Sequence, residues 1–337
     1  MKTKKDKYFF SPFLTSKIIS FVLALFITVA SLKCFSVIID GLIDNRVDEN
    51  NECGSETADV GEKEEIKQGG IFSDKNSVSV NTAFSADGLI MCDLNEMRIV
   101  AEKSKDNKIS IGDLTTIASA LLISTYIEEG KLSEDEIIVC PASAARRANY
   151  AASSGVYSVG MRLKAKELIR CMIYQSGSSY AYALSVHILG SEENFVVKLN
   201  EMGKELGLKN TVFTNVCGED DGVAVTTPLD VAVIFKYFLD NKMLSEIFSS
   251  SEPVKIKKYD TSSSVYLTVY NDFYENVCTE SQAKDDGVTG GKGGKCGYSK
   301  WAVVTFENMG KKYMVIALGS PSPYSDILRL YAAYGEG

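Results

Sequence analysis

Two short motifs in this chain place a nucleophile next to an amine. Cys296 follows Lys295, and a neighbouring ammonium lowers the pKa of a thiol toward the reactive thiolate. Ser281 and Lys284 form a Ser-x-x-Lys spacing, in which the lysine could act as base for the hydroxyl. Cys296 has no evident histidine partner, and four-residue matches such as the second arise by chance. We therefore interpret Cys296 as an inert strand residue and Ser281 as unrelated to catalysis.

Metal, cofactor and nucleic-acid chemistry find little support in the composition. The one histidine, His187, lies in an apolar helical stretch without a partner at ligand spacing, so we interpret it as a packed or surface residue. The eight cysteines show no Cys-x-x-Cys pair and are read as small buried hydrophobic residues. The glycines of 290–294 lack the spacing of a phosphate-binding loop. The net charge of −8 argues against a nucleic-acid partner, and we predict no cofactor and no metal.

Asp113 stands at the start of an apolar segment with helical periodicity. Asp is among the best N-cap residues, and such a cap stabilises a helix by about 1 kcal/mol relative to Ala. The carboxylate is ionised at neutral pH and is a poor nucleophile toward an amide. Thr116, one turn further, has no proton affinity with which to act as a base. We therefore predict that Asp113 caps the helix and fills the space at its start, rather than acting as a new catalytic acid.

Periodicity predicts the elements that position these residues. The folded part is predicted to begin near Ala83, with strands at both ends of the domain and helices between them. Such an order favours one sheet built from N- and C-terminal strands, with a central helical region. The predicted strands are 88–94, 97–100, 265–270, 301–306 and 313–318, and the predicted helices are 114–129, 163–174, 179–189, 193–206, 229–239 and 325–334.

The N-terminal quarter predicts export and attachment to a membrane. Residues 1–17 form a basic tail, and the apolar run 18–39 reaches spanning length, roughly 20 residues. A cleaved signal peptide stays open as an alternative to a retained anchor. Residues 40–66 hold ten acidic and two basic residues, and we predict a disordered linker over 40–82. The domain 83–337 is then extracellular on a single-pass membrane protein, or secreted if the segment is cleaved.

Several segments resemble, in order and nearly without gaps, the serine D-alanyl-D-alanine carboxypeptidases, which are penicillin-binding proteins of the S11 type. Residues 111–121 resemble the nucleophile helix, and 204–215 resemble the run Lys-Glu-Leu-Gly-Leu-x-x-Thr-x-Phe-x-Asn. Residues 294–299 are similar to Gly-Lys-Thr-Gly-Tyr-Thr, an alignment that excludes Gly291-Lys292 as the third family motif. The resemblance implies a penicillin-binding transpeptidase or β-lactamase-like α/β (α+β) fold, with an antiparallel sheet flanked by helices and a helical subdomain.

The resemblance also implies what each catalytic position should hold. The family motifs are Ser-x-x-Lys, Ser-x-Asn and Lys-Thr-Gly, which supply the nucleophile and its base, the substrate-orienting Asn and the carboxylate-binding Lys. At the nucleophile, base and Asn positions this chain holds Asp113, Thr116 and Ser178. The residues that would still bind substrate are Ser176, Lys295, Cys296 and Gly297. Family geometry further implies that Lys295 faces Asp113, so we expect an ion pair that closes the site.

These substitutions predict a pseudoenzyme, because losing the nucleophile and base of one catalytic unit costs several powers of ten in rate. The expected role is binding of a peptidoglycan stem peptide or of a cell-envelope protein. Two alternatives stay open. The chain could be an active serine-type carboxypeptidase in peptidoglycan maturation, or a purely structural envelope domain.

Overall fold

The computed structural model describes residues 70–80, 84–147, 157–259 and 265–335. At its centre lies a six-stranded sheet that combines strands from both ends of the chain, as predicted. Its strands are β1 (Val78–Ser79), β2 (Gly88–Asp93), β3 (Arg98–Lys103), β10 (Val288–Cys296), β11 (Ser299–Asn308) and β12 (Lys311–Ser320). The spatial order is β1-β3-β2-β12-β11-β10. All neighbouring pairs are antiparallel except β1 with β3.

Alternation along the strands divides the core into two layers. On β11, Trp301 and Val303 pack into the larger hydrophobic cluster, whereas Ala302 and Val304 pack into the smaller one on the opposite face. All six residues of β2 are buried, because helices cover both faces of the sheet. The two-stranded sheets are β4 (Ile109–Ser110) with β7 (Val225–Thr226), β5 (Ile137–Val139) with β6 (Arg162–Lys164), and β8 (Val254–Lys258) with β9 (Val265–Val269).

The helical region lies on the side of the larger cluster. Its central helix, α1 (Thr115–Glu128), is apolar on all sides and is buried over its first ten residues. The remaining helices are α2 (Ala142–Arg147), α3 (Ala165–Gln175), α4 (Ser178–Leu189), α5 (Glu192–Glu205), α6 (Pro228–Asp240), α7 (Lys242–Phe248), α8 (Asp272–Asn276), α9 (Glu280–Asp285) and α10 (Pro323–Tyr334). Each helix predicted from periodicity is present within a few residues, because the apolar spacing that buries a helix is visible in the sequence.

The predicted linker, 40–82, extends too far along the chain, because residues 70–80 already belong to the folded domain. Residues 70–80 lie along the edge of the central sheet, where β1 pairs with β3. Phe72 is only 4% exposed, and the backbone N–H groups of Ser73 and Val80 donate to the carbonyls of Met97 and Glu102. This segment contains a short edge strand, which its polar composition does not predict. The strand is stabilised by backbone hydrogen bonds rather than by an apolar pattern.

The remaining N-terminal predictions, for the tail, the apolar run and the linker up to residue 69, lie outside the described residues. Within the ranges that the structure describes, no helix combines the length and apolarity needed to cross a membrane. The six cysteines in these ranges are free and buried, which agrees with their interpretation as small core residues. Cys34 and Cys53 lie outside the described residues.

Candidate functional site

A cleft with a volume of about 880 Å³ opens beside strand β10, at the edge of the central sheet. Its walls are a 3-10 turn (Gly112–Leu114), the junction between α3 and α4, the loop 217–220, and helix α8. The cleft therefore brings together the three segments that sequence comparison marked as catalytic motifs. Among the predicted site residues, the lining includes Asp113, Ser176, Ser178, Lys295 and Gly297.

Asp113 is not a helix cap, which corrects the sequence-based interpretation. It lies inside the 3-10 turn, and α1 has Leu114 at its N-cap without a side-chain hydrogen bond. The carboxylate instead turns toward the sheet. Its Oδ1 accepts hydrogen bonds from the backbone N–H of Lys295 at 3.0 Å and from Trp301 Nε1 at 2.5 Å. A carboxylate that accepts two N–H donors is held firmly, since hydrogen bonds to charged groups are the strong ones.

Two glycines allow the turn to approach β10 this closely. A Cβ on Gly294 would lie 2.2 Å from Asp113 Oδ1, so only glycine leaves room for the carboxylate. Gly112 has a φ of +53°, and a Cβ there would lie 2.0 Å from the Lys295 carbonyl oxygen. The backbone of the turn therefore presses directly on the strand.

The predicted ion pair between Asp113 and Lys295 is wrong, since no ion pair among the described residues joins them. Strand alternation explains this result: Lys292 and Gly294 lie on the face of β10 toward Asp113, whereas Lys295 is out of phase with them and is exposed at the rim of the cleft. Lys292 is 1% exposed, and its Nζ donates to the Tyr174 carbonyl at 3.3 Å. Contrary to the alignment, Lys292 is the lysine whose charge acts on Asp113.

At Asp113, burial and the neighbouring charge shift the pKa of the carboxyl in opposite directions. Burial raises the pKa of the Asp113 carboxyl, while the charge of Lys292 and the hydrogen bonds from Trp301 and Lys295 lower it. Burial lowers the pKa of Lys292, and the charges of Asp113 and Asp272 raise it. The pKa of Asp272 is itself raised by partial burial. One buried ammonium thus interacts with two carboxylates.

Three hydroxyl side chains lie near Asp113, those of Thr116, Ser176 and Ser178, and their surroundings differ. Thr116 is buried, and its Oγ1 donates to the backbone carbonyl of Asp113 at 2.7 Å, a bond within the helix. Ser178 is buried at the first position of α4. Ser176 has a left-handed backbone, with φ +49°, and its side chain lies next to Asp113. Its hydroxyl bonds to the Asp113 carboxyl and helps to lower the pKa of that group, and Ser176 Oγ has no other partner among the described residues.

The other candidate nucleophiles and ligands lie in unreactive surroundings. Burial raises the pKa of the Cys296 thiol to about 11, which agrees with its interpretation as an inert strand residue. Gly297, with φ +57°, forms the tight turn between β10 and β11. His187 lies half-exposed on α4, and its Nε2 is 2.7 Å from Glu136. Ser281 is exposed on α9 and does not line the cleft.

Sequence reasoning missed Lys292, Trp301, Asp272 and Gln175. A period of two along β10 would have placed Lys292 on the same face as Gly294, but the alignment had already assigned the motif lysine to position 295. The sequence predicts Trp301 only as the first residue of strand 301–306, although a buried indole N–H usually requires a partner. Asp272 and Gln175 lie at helix ends whose closeness to β10 has no local signal.

Comparison with known proteins gives matches that agree with this architecture. A family model described as D-alanyl-D-alanine carboxypeptidase matches residues 74–316. D-alanyl-D-alanine carboxypeptidase DacF of Bacillus subtilis is 25% identical over 248 residues, covering 72% of this chain and 59% of that protein. DacA of Haemophilus influenzae is 23% identical, covering 71% and 58%. The chain thus spans about three fifths of the length of these curated relatives.

Solved structures share the fold. A Streptomyces DD-transpeptidase superposes with a TM-score of 0.66 at 20% identity, covering 75% of this chain and 98% of that one. A D-alanyl-D-alanine carboxypeptidase from Mycobacterium tuberculosis gives a TM-score of 0.64 at 20% identity, covering 78% and 95%. The mixed α/β fold with an antiparallel sheet flanked by helices is therefore the one predicted from the sequence.

Proposed function

The chain belongs to the D-alanyl-D-alanine carboxypeptidase family, and we propose that it is a member without peptidase activity that acts by binding in the old active-site cleft. The family reaction is acyl transfer, which requires a hydroxyl nucleophile and a neighbouring base. The positions that supply both in the family hold Asp113 and Thr116. The carboxylate is a poor nucleophile toward an amide, and the threonine hydroxyl is engaged with the backbone.

One observation carries the proposal: Asp113 occupies the donors that a substrate carbonyl would need. Acyl transfer depends on N–H groups aimed at the oxygen on which negative charge develops. The Lys295 N–H faces the cleft from the edge of β10, and it donates to Asp113 Oδ1. The Trp301 indole N–H donates a hydrogen bond to the same atom, Asp113 Oδ1. We propose that this carboxylate stands where the oxyanion would develop, so that a substrate would have to displace a buried group that accepts two hydrogen bonds.

Labelling with a fluorescent penicillin tests the proposal directly. Penicillins acylate the active serine of this family, so we expect no covalent label on the purified protein after gel electrophoresis. DacF of Bacillus subtilis is a suitable parallel sample. A second measurement, release of D-alanine from a D-alanyl-D-alanine peptide, should also stay at background. Labelling of the native protein, or D-alanine release above background, would refute the proposal.

An active enzyme is the second candidate, and one observation favours it. Ser176 Oγ is buried, and its one partner among the described residues is the Asp113 carboxylate, which could take its proton. If the protein is labelled, mass spectrometry of the adduct will identify the acylated residue. Ser176→Ala should then abolish labelling and Ser178→Ala should serve as the matched control. Persistence of the label in Ser176→Ala would exclude this nucleophile.

The proposed ligand is a peptidoglycan stem peptide or a cell-envelope protein, and the proposed location is the outer face of a bacterial membrane. The family relationship supports the peptide, and the basic tail followed by an apolar run supports the location. Calorimetric titration with a stem peptide tests the first part. Membrane fractionation of the full chain, with and without residues 1–39, tests the second. A protein that binds no peptide and no envelope partner would be a structural domain.

A further inference from the structure

The inner end of the cleft, formed by Asp113, Gln175, Ser176 and Asp272, presents acceptor oxygens. Gln175 is 5% exposed and Ser176 is 8% exposed, and both line the cleft. Gln175 Oε1 has no hydrogen-bond partner among the described residues, and Ser176 Oγ has only the neighbouring Asp113 carboxyl. Buried polar atoms without partners are rare, because each costs about 1–3 kcal/mol. The unpartnered amide oxygen of Gln175, in the lining of the cleft, indicates that a ligand completes the site.

The charge at the inner end is unbalanced. Lys292 is the buried ammonium that faces both Asp113 and Asp272, and it donates its hydrogen bond to the Tyr174 carbonyl rather than to Gln175 or Ser176. Two carboxylates against one ammonium leave a net negative charge in surroundings of low dielectric constant. Burial raises the pKa of both carboxyls, as expected for incomplete compensation. A ligand carboxylate placed here would add a third negative charge.

We propose that the inner end of the cleft receives a primary ammonium group of the ligand and not a carboxylate. An ammonium has three N–H donors and no acceptor. Three donors match Gln175 Oε1, Ser176 Oγ and the Asp113 carboxylate. This inference rests on the proposed function, because an acylating enzyme would need the same space for the scissile carbonyl.

The outer rim defines the rest of the ligand. Lys295 and Lys300 are directly opposite each other on β10 and β11, and both are exposed at the cleft. Two neighbouring ammoniums repel each other unless an anion lies between them. The ligand class is therefore a peptide with a lysine-type side-chain amine for the inner end and a carboxylate for the rim.

Calorimetric titration of the full chain with three probes tests this assignment. Nα-acetyl-lysine methylamide carries the ammonium without a carboxylate, Nα-acetyl-norleucine methylamide lacks both, and N-acetyl-D-alanyl-D-alanine carries only the carboxylate. We expect the lysine probe to bind at least tenfold more tightly than the other two. Equal or tighter binding of N-acetyl-D-alanyl-D-alanine, or no measurable binding of the lysine probe, overturns the proposal.

Variants locate the ammonium within the cleft. Gln175→Leu and Asp272→Asn should each lower the affinity for the lysine probe about tenfold, which is the usual effect of losing one hydrogen bond to a charged group. Lys255→Gln, exposed on β8 and outside the cleft lining, is the matched control and should leave this affinity unchanged. Should Gln175→Leu fail to fold, Asp272→Asn suffices, because Asp272 is only partly buried. Unchanged affinity in Asp272→Asn contradicts the proposal.

The two proposals fail in different ways. Penicillin labelling of the native protein refutes the proposed absence of peptidase activity. It then also refutes the ammonium site, which depends on that proposal. An unlabelled protein that prefers N-acetyl-D-alanyl-D-alanine refutes only the ammonium site.

Discussion

Replacing Lys292 and Lys295 separately by methionine measures which lysine balances the buried Asp113. The two lysines are three residues apart on one strand, but Lys292 is 1% exposed whereas Lys295 is exposed. Removing one member of a buried charge pair costs about 3–5 kcal/mol, because the remaining charge stays desolvated. Surface substitutions usually change stability by less than about 0.5 kcal/mol. We therefore expect Lys292→Met to lower the free energy of unfolding by about 3 kcal/mol and Lys295→Met to leave it nearly unchanged.

Urea unfolding followed by fluorescence gives both values. The chain has one tryptophan, Trp301, whose indole donates to Asp113, so the probe reports on the site itself. The double variant Lys292→Met with Asp113→Asn should recover part of the loss, because it removes the uncompensated charge. Equal losses in the two single variants would refute the assignment of Lys292, and so would a double variant no more stable than Lys292→Met.

Three further predictions concern the same site. Burial raises the pKa of Asp113 above 3.8, so the folded protein holds this proton more tightly than the unfolded chain, and stability falls as pH rises through the raised pKa. The free energy of unfolding of the native sequence, relative to Asp113→Asn, should therefore fall as the pH rises above the usual range of an Asp carboxyl, and a difference that does not change with pH would contradict the assigned shift. Gly294→Ala should lower stability by about 2 kcal/mol in urea and change Trp301 emission, because its Cβ would lie 2.2 Å from Asp113 Oδ1; unchanged emission would argue against this contact. Cys296 should resist iodoacetamide at pH 7 until the protein unfolds, since its thiol has a pKa of about 11, and a modified Cys296 in the native protein, seen by mass spectrometry, would contradict its burial.

The fold could be predicted to a large extent from local patterns. Apolar spacing located α1, α4, α5 and α6 within a few residues, because the face that a helix buries repeats every three to four positions. Strands at both ends of the domain were enough to predict a shared sheet. The edge strand β1 was missed, since backbone hydrogen bonds rather than apolar side chains hold it.

What the sequence determined by itself is the kind of group at each position: a carboxylate at 113 and a threonine at 116, which the resemblance aligns with the nucleophile and base of the family. The tertiary structure alone decided what that carboxylate does. Asp113 meets Lys295 and Trp301 across separations of 182 and 188 residues, and no local periodicity encodes such a contact. Strand alternation then set Lys292 on the inner face and Lys295 on the outer one, because neighbouring side chains of a strand point in opposite directions.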